Sequence, residues 1–266
     1  MPSTKEYQLG IALSGGGAKG FAHVGVMKAL DDFGLCPDII AGVSARSVIG
    51  AFYAAGVAPD DVLGMFGKIK MGALADWAIP NGGIFKLNKF KHFLKQNLPV
   101  DKIEDLKIPT VITATNLDTY CEELFTHGPL AECIIASCSI PVIFKPARIA
   151  GTSYIDGGIL HNMPSFAIRA RCDFLIGVNV SPLNTLPFKS TIADIAYRSY
   201  RLMTTHNSQP DLNLCDAVID VESMKNSSTF GVDRMKENAK EGYFAAMRAL
   251  INNPDLIRLR DERKNH

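Results

Sequence analysis

The chain has 266 residues, of which 47% are hydrophobic and 21% are charged, and its formal net charge at pH 7 is +1. This composition suits one large α/β domain, and the small net charge excludes an overall field that would draw the protein to nucleic acid or to an anionic membrane. No apolar run approaches the ~20 residues that span a bilayer, and the short polar segment Met1–Gln8 is not expected to be a signal peptide. With six scattered cysteines expected to be reduced, the sequence predicts a cytoplasmic protein whose membrane contact, where it occurs, is peripheral.

The first quarter of the chain alternates short apolar runs with helical patterns. Leu9–Leu13 is predicted to be a strand, and it is followed after a glycine-rich turn by a helix over Phe21–Phe33, with Gly34 as its C-cap. Asp38–Val43 is predicted to be a second strand, followed by a sharp turn and a helix over Val48–Ala55. Strand, helix, strand and helix joined by short connections indicate a parallel sheet with right-handed crossovers.

Residues 60–100 change in character and form a candidate cap or lid within the single domain predicted for residues 1–266. One helix is predicted to begin at Asp60, and a second, lysine-rich helix follows a stretch punctuated by glycine and proline. The apolar face of the second helix is formed by Leu87, Phe90, Phe93 and Leu94. Two compatible interpretations are a surface helix of the domain and a lid that lines an acyl groove or touches a lipid surface.

The remaining pattern predicts core strands over Val111–Thr115 and Phe174–Val180. Helices are predicted over residues 189–207 and 233–252. The charged end of the chain, Asp261–His266, is predicted to be a frayed tail.

The first segment with chemical meaning is the glycine-rich loop Gly15-Gly16-Gly17-Ala18-Lys19-Gly20, between a strand and a helix. Glycines allow a positive φ and let several backbone N–H groups point at one anion, which the N-terminus of the next helix also favours. A nucleotide P-loop would require Ser or Thr after Lys19, where Gly20 stands. A dinucleotide-binding loop is weakened because no acidic residue ends the second strand.

The second segment is Gly42-Val43-Ser44-Ala45-Arg46, which places a serine between a strand and a helix. This arrangement is typical of a nucleophile elbow, where a tight turn raises the hydroxyl above the sheet. The alternative is that Ser44 only caps the helix that starts near Ala45.

The third segment is Asp156-Gly157-Gly158, and a carboxylate before two glycines is by itself an ordinary turn. Its order after the other two segments, with Ala136-Ser137-Cys138-Ser139-Ile140-Pro141 upstream, favours a functional interpretation.

Taken together, the four blocks closely resemble the patatin-like phospholipases. The matching residues are 15–26, 42–44, 136–144 and 156–164, and the resemblance extends over roughly residues 8–185. It implies a three-layer α/β/α sandwich with a mostly parallel central sheet. It also implies a catalytic dyad, in which Ser44 is the nucleophile and Asp156 its base, rather than a triad. The histidines agree with a dyad, since His23 and His161 are expected to be structural.

The resemblance implies a lipid acyl hydrolase of phospholipase A, lysophospholipase or esterase type that works through an acyl-enzyme. No cofactor and no metal are expected, because the sequence contains no EF-hand loop and this mechanism needs no metal. The backbone N–H groups of Gly15, Gly16 and Gly17 would form the oxyanion hole. Lys19 would bind substrate near a phosphate head group, or it is a solvated surface lysine. Since a free aspartate is a weak base for a hydroxyl, Asp156 is expected to be desolvated or coupled directly to Ser44.

Arg46 departs from the family pattern, which has glycine two residues after the nucleophile. Its side chain either points outward, pairs with Asp156 and lowers the pKa of that carboxyl, or binds a substrate phosphate. The alternative function is therefore a catalytically impaired lipid-binding protein with the same fold. An acyltransferase would use the same residues with a different acceptor.

Overall fold

A computed structural model gives the fold of the chain, and it describes residues 5–15, 20–68, 76–77, 85–180, 190–221 and 234–264. Among these residues, eight strands form a central sheet and two short strands pair separately. The strands are β1 (Tyr7–Leu13), β2 (Ile39–Val43), β3 (Asp76–Trp77), β4 (Phe85–Lys86), β5 (Thr110–Asn116), β6 (Glu122–Phe125), β7 (Ala147–Ile149), β8 (Thr152–Asp156), β9 (Cys172–Asn179) and β10 (Ala217–Asp220). The four strands that the sequence predicted are β1, β2, β5 and β9.

The central sheet is mostly parallel. Strands β10, β9, β1, β2 and β5 lie side by side in that order and run in the same direction. Strands β6 and β8 pair with β5 in the antiparallel sense, and β7 pairs antiparallel with β8. The central strands β2 and β5 are buried along their whole length because both faces of the sheet are covered.

The helices lie on both faces of the sheet. They are α1 (Phe21–Phe33), α2 (Ala45–Ala54), α3 (Pro59–Gly67), α4 (Asn88–Asn97), α5 (Leu130–Cys138), α6 (Phe166–Arg169), α7 (Ile192–Leu212), α8 (Met235–Asn252) and α9 (Pro254–Lys264). Alternate residues of β1 show the two cores: Leu9 and Ile11 pack among α1, α2 and α8, whereas Ala12 packs with Met163 and Ile168 on the opposite face. The predicted three-layer α/β/α sandwich is therefore confirmed.

The helix α4 packs on the domain through its apolar face. Phe93 and Leu94 are buried, and Phe90 packs against the main core. Lys95 forms an ion pair with Glu132 of α5 at 2.7 Å. The rest of the candidate lid, residues 69–75 and 78–84, lies outside the described residues.

The prediction of a frayed tail from residue 261 is wrong up to Lys264, because the chain there belongs to α9. Leu256 and Leu259 of this helix are buried in the main core. The guanidinium of Arg263 donates to the Asp38 carboxylate and to the side-chain oxygen of Gln8. These contacts hold the last turn of α9 on the domain. Because they join residues far apart in the sequence, no local sequence pattern indicates them.

The helices α1 and α8 cross with their backbones in close contact. A Cβ atom added at Gly25 would lie 1.8 Å from the carbonyl oxygen of Ala239, and one added at Gly242 would lie 2.0 Å from that of Ala22. Only glycine fits at these two positions. Because α1 directly follows the glycine-rich loop, α8 supports the element that carries the loop.

We expect Gly242→Ala to lower the free energy of unfolding by about 1–3 kcal/mol, because the added methyl group forces two helix backbones apart. Chemical denaturation monitored by circular dichroism measures this change. The matched control is Gly64→Ala in α3, where an added Cβ meets nothing within 4 Å. Because alanine favours a helix more than glycine does, Gly64→Ala should be as stable as wild type or more stable. Equal losses of stability in the two variants would contradict the close packing of α1 on α8 as the cause.

Candidate active site

The register of β5 brings the ends of two strands together. Strand β6 pairs with residues 112–115 of β5 and thereby occupies one edge of that strand. Strands β2 and β8 must therefore share the other edge, where β2 ends opposite Thr113 and β8 ends opposite Ala114. Because β2 runs parallel and β8 antiparallel to β5, their carboxyl ends meet. Ser44, which follows β2, and Asp156, which ends β8, consequently lie next to each other.

Ser44 has the backbone conformation of a sharp elbow. Its φ is 59° and its ψ is −142°, a region that side-chain-bearing residues rarely adopt. Helix α2 begins at the next residue, yet the Ser44 side chain makes no capping hydrogen bond to it, which argues against the capping interpretation. A Cβ at Gly42 would lie 2.9 Å from the Cα of Ser47, so glycine is required where the elbow folds back.

Ser137 fastens the elbow to the sheet. The backbone N–H of Ser44 donates to the Ser137 hydroxyl at 2.7 Å. That hydroxyl in turn donates to the carbonyl of Thr113 at 2.7 Å. The hydroxyl of Ser47 donates to the Ser44 carbonyl at 2.6 Å, which holds the other side of the turn. A strained backbone is kept in place by these bonds.

Asp156 is fully buried, and its two carboxylate oxygens differ in their surroundings. The backbone N–H of Gly158 donates to Oδ1 at 2.9 Å, whereas Oδ2 has no hydrogen-bond partner among the described residues. Burial raises the pKa of the carboxyl from 3.8 to about 6, and the neighbouring Ser44 hydroxyl lowers it in part. The expectation of a desolvated aspartate is confirmed.

Arg46 does not point outward: its side chain is completely buried. The guanidinium lies against the start of α1, since a Cβ added at Gly20 would be 3.6 Å from Arg46 Nε. Burial lowers the pKa of Arg46 to about 9, so it is still charged at neutral pH. Its charge lowers the pKa of Asp156, but less than burial raises it.

The glycine-rich loop lies only partly within the described residues. The N–H of Gly15 donates to the carbonyl of Asn162 at 2.7 Å and is engaged there. The Asn162 side chain also fills the space beside Gly15, where an added Cβ would lie 1.9 Å from Asn162 Oδ1. Gly16, Gly17 and Lys19 lie outside the described residues, so their predicted roles as oxyanion donors and substrate contact stay predictions.

Helix α7 covers the turn that follows Asp156. Tyr200 is buried, and its hydroxyl lowers the pKa of Asp156. The side-chain amide of Asn207 donates to the carbonyl of Ile159. His161 Nδ1 lies 2.9 Å from Asp211 Oδ2, so this histidine binds α7.

His23 is buried, and burial lowers its pKa well below 6.5, which keeps it neutral at pH 7.

Sequence reasoning missed two residues of this site. Ser137 lies in the block that carried the family resemblance, but its role as a link between Ser44 and β5 follows only from the strand register. Tyr200 had no motif around it, because it reaches Asp156 from a helix that starts 36 residues later in the chain.

Within the described ranges, no three His, Cys, Asp or Glu side chains are grouped to hold a metal ion. The helices of those ranges include none with both the length and the apolarity to span a bilayer.

We expect Ser137→Ala to lower the free energy of unfolding by about 1–3 kcal/mol, because it leaves the buried N–H of Ser44 without an acceptor. Urea denaturation measures the difference. The control is Ser208→Ala in α7, where the lost hydroxyl only donates to a helix carbonyl, that of Thr205. A loss for Ser137→Ala no greater than for Ser208→Ala would contradict the proposed link.

The comparisons with known proteins concern the family and the fold. A family model described as patatin-like phospholipase matches residues 11–167. Lysophospholipase NTE1 of Candida glabrata is 28% identical over 186 residues, which covers 66% of this chain and 11% of that protein. An uncharacterized NTE family protein of Mycobacterium bovis is 33% identical over 179 residues, which covers 65% of this chain and 49% of that protein. The chain thus matches half or less of the length of these curated relatives.

Among solved structures, VipD of Legionella pneumophila superposes with a TM-score of 0.58 at 16% identity, covering 92% of this chain and 66% of that chain. This likeness concerns the fold. Ser44 and Asp156 both lie inside the span of the family model, which covers more than half of the 266 residues. The chain therefore belongs to the patatin-like phospholipase family.

Proposed function

We propose that this chain is a serine acyl hydrolase that cleaves acyl esters of lipids, with phospholipids and lysophospholipids as the substrate class. One observation carries the proposal: Ser44, in a strained elbow, adjoins a buried Asp156 whose pKa is raised to about 6. Such a carboxylate is a better base than an exposed one and is still ionised at pH 7. Family membership and relatives named lysophospholipases support a lipid substrate.

In the first step, the Ser44 Oγ attacks the ester carbonyl carbon while its proton passes to Asp156. Since Oδ1 of Asp156 accepts the N–H of Gly158, Oδ2 is the oxygen that takes the proton. The carbonyl oxygen becomes an oxyanion in a tetrahedral intermediate. The N–H groups of Gly16 and Gly17 are the proposed donors to it, and the loss of one such donor costs about 10²–10³ in rate.

In the second step, the bond to the alcohol oxygen breaks, and the alcohol leaves with the proton from Asp156. A water molecule then attacks the acyl-enzyme as Asp156 accepts a proton from it. Collapse of this second intermediate releases the fatty acid and returns the proton to Ser44 Oγ. Asp156 therefore accepts and donates a proton in each half of the reaction.

An active enzyme is favoured over a catalytically impaired lipid-binding protein by the balance of effects on Asp156. The positive charge of Arg46 weakens this base, but burial has the larger effect and keeps its pKa above the usual value. The Arg46 side chain also packs beside Gly20, at the start of α1.

We expect a fluorophosphonate probe to label Ser44, and Ser44→Ala to abolish both labelling and hydrolysis of p-nitrophenyl esters. The probe reports an activated serine whatever the natural lipid is. Mass spectrometry of the labelled peptide identifies the residue.

Labelling of wild type at another serine would reject the nucleophile. An unlabelled wild type together with a labelled Arg46→Gly variant would favour the impaired lipid-binding protein. Product analysis with glycerol as a second acceptor separates hydrolysis from acyl transfer.

The raised pKa of Asp156 predicts the pH dependence of activity. The base must be ionised, so kcat/KM should fall about tenfold per pH unit below about pH 6 and level off above it. Initial rates with a soluble ester across pH 4.5–8 measure this limb. A limb centred near 4, the value of an exposed aspartate, would contradict the burial effect.

Ionisation of the Asp156 carboxyl, which is expected to raise activity as the pH rises, should lower the stability of the fold. Because its pKa is higher in the folded state than its usual 3.8, the unfolded chain releases the proton first, and stability falls as the pH rises from about 4 to about 6. Asp156→Asn should therefore be more stable than wild type at pH 7, by up to ~3 kcal/mol. At pH 4 the difference should disappear, and denaturation at both pH values tests this. An equal difference at both pH values would show that the charge is not its cause.

A further inference from the structure

Helix α7 has two faces of different character. Its inner face is buried against the Asp156 turn through Tyr200, Thr204 and Asp211. Its outer face, which we call the α7 stripe, is formed by Ile192, Ile195, Leu202 and Met203, which are 82%, 48%, 61% and 44% exposed.

On the basis of the proposed function as a lipid acyl hydrolase, we propose that the α7 stripe docks on a zwitterionic lipid surface and holds the active site against it. The lipid surface supplies the substrate, so the docking face and the site serve the same reaction.

The four residues of the stripe lie on one side of the helix. At 3.6 residues per turn, their positions fall within a sector of about 100°, opposite the buried side. Ser199 and His206 lie in the same sector and are exposed. A 21-residue helix with this division can lie along an interface with its apolar side immersed in the head-group region.

The charges of α7 are kept off the stripe. Asp194 and Arg198 form an ion pair at 2.8 Å, and the Arg201 side chain is buried. Among the described residues of the stripe's sector there is no Lys, Arg, Asp or Glu. A face of this kind gains from apolar burial and not from attraction to anionic lipid, which matches a zwitterionic or neutral surface.

The stripe is close to the chemistry. Tyr200, which acts on Asp156, lies two residues before Leu202, so only the thickness of one helix, about 10–12 Å, separates the stripe from the catalytic turn. Helix α4, whose apolar face is surrounded by lysines, has that face covered, since Phe93 and Leu94 are buried. Of these two helices, α7 is therefore the one with an exposed apolar side next to the site.

The experiment compares vesicle binding of the full chain with the double variant Ile192→Gln/Leu202→Gln, using flotation with phosphatidylcholine vesicles. Glutamine keeps helix propensity and removes the apolar surface. The control is Phe244→Gln/Ile251→Gln on α8, which changes two apolar residues that are also exposed, by 50% and 54%. Both pairs are placed in the Ser44→Ala background so that the lipid is not degraded.

We expect the α7 variant to lose at least tenfold in vesicle partitioning and the α8 variant to bind as the parent does. With Ser44 restored, the ratio of vesicle-lipid hydrolysis to soluble-ester hydrolysis should fall by a similar factor for the α7 variant alone. Circular dichroism checks that each variant is folded.

Equal binding by the α7 variant and its parent would overturn the proposal, as would binding that requires anionic lipid. A second copy of the chain is the competing occupant of the stripe. Light scattering that shows a dimer in the parent and a monomer in the α7 variant, with vesicle binding unaltered, would assign the stripe to that contact instead. Flotation does not depend on catalysis, so an inactive wild type would reject the proposed function and leave the docking result to stand or fall separately.

Discussion

The site depends on the pairing of two strands, β2 and β8, with the same edge of β5, where their carboxyl ends meet. Strand β6 occupies the opposite edge, so β2 and β8 share the remaining one and meet between Thr113 and Ala114. This geometry places Ser44 beside Asp156 although the two are far apart in sequence. It also explains the position of Ser137, whose hydroxyl joins the elbow to β5 at the junction itself. The strained backbone conformation of Ser44 persists because the hydrogen bonds through Ser137 hold it in place.

The electrostatics of the site follow from burial. Asp156 is removed from water, which raises its pKa and makes the folded state less stable at neutral pH than an uncharged residue would. Arg46, also buried, partly offsets this cost through its charge. A buried cation beside this carboxyl therefore leaves the pKa of the carboxyl above its usual value, because desolvation outweighs the charge. The folded protein thereby holds, at some cost in stability, a carboxyl that titrates near pH 6.

The part of the chain beyond the family model completes the site from outside. Residues 11–167 contain the elbow and the aspartate, but α7 and α8 follow them in sequence. Helix α7 closes over the Asp156 turn and presents an apolar face to the exterior. Helix α8 packs on α1 so closely that Gly242 has no room for a side chain, and α1 in turn begins at the glycine-rich loop. Both ends of the candidate site are therefore held by helices that lie outside the span of the family model.

The sequence by itself predicted the alternation of strands and helices and, through the family resemblance, the three-layer fold and the candidate residues Ser44 and Asp156. Local periodicity and ordered motifs carry that information, since each element's apolar face and each turn's glycines are written within a few residues. Only the tertiary structure decided that Arg46 is buried, that Tyr200 reaches Asp156, and that the end of the chain is a docked helix. These depend on pairings between distant strands and on the exclusion of water, which no short segment encodes. The pKa of Asp156 has the same origin, because it is burial by the whole fold that raises it.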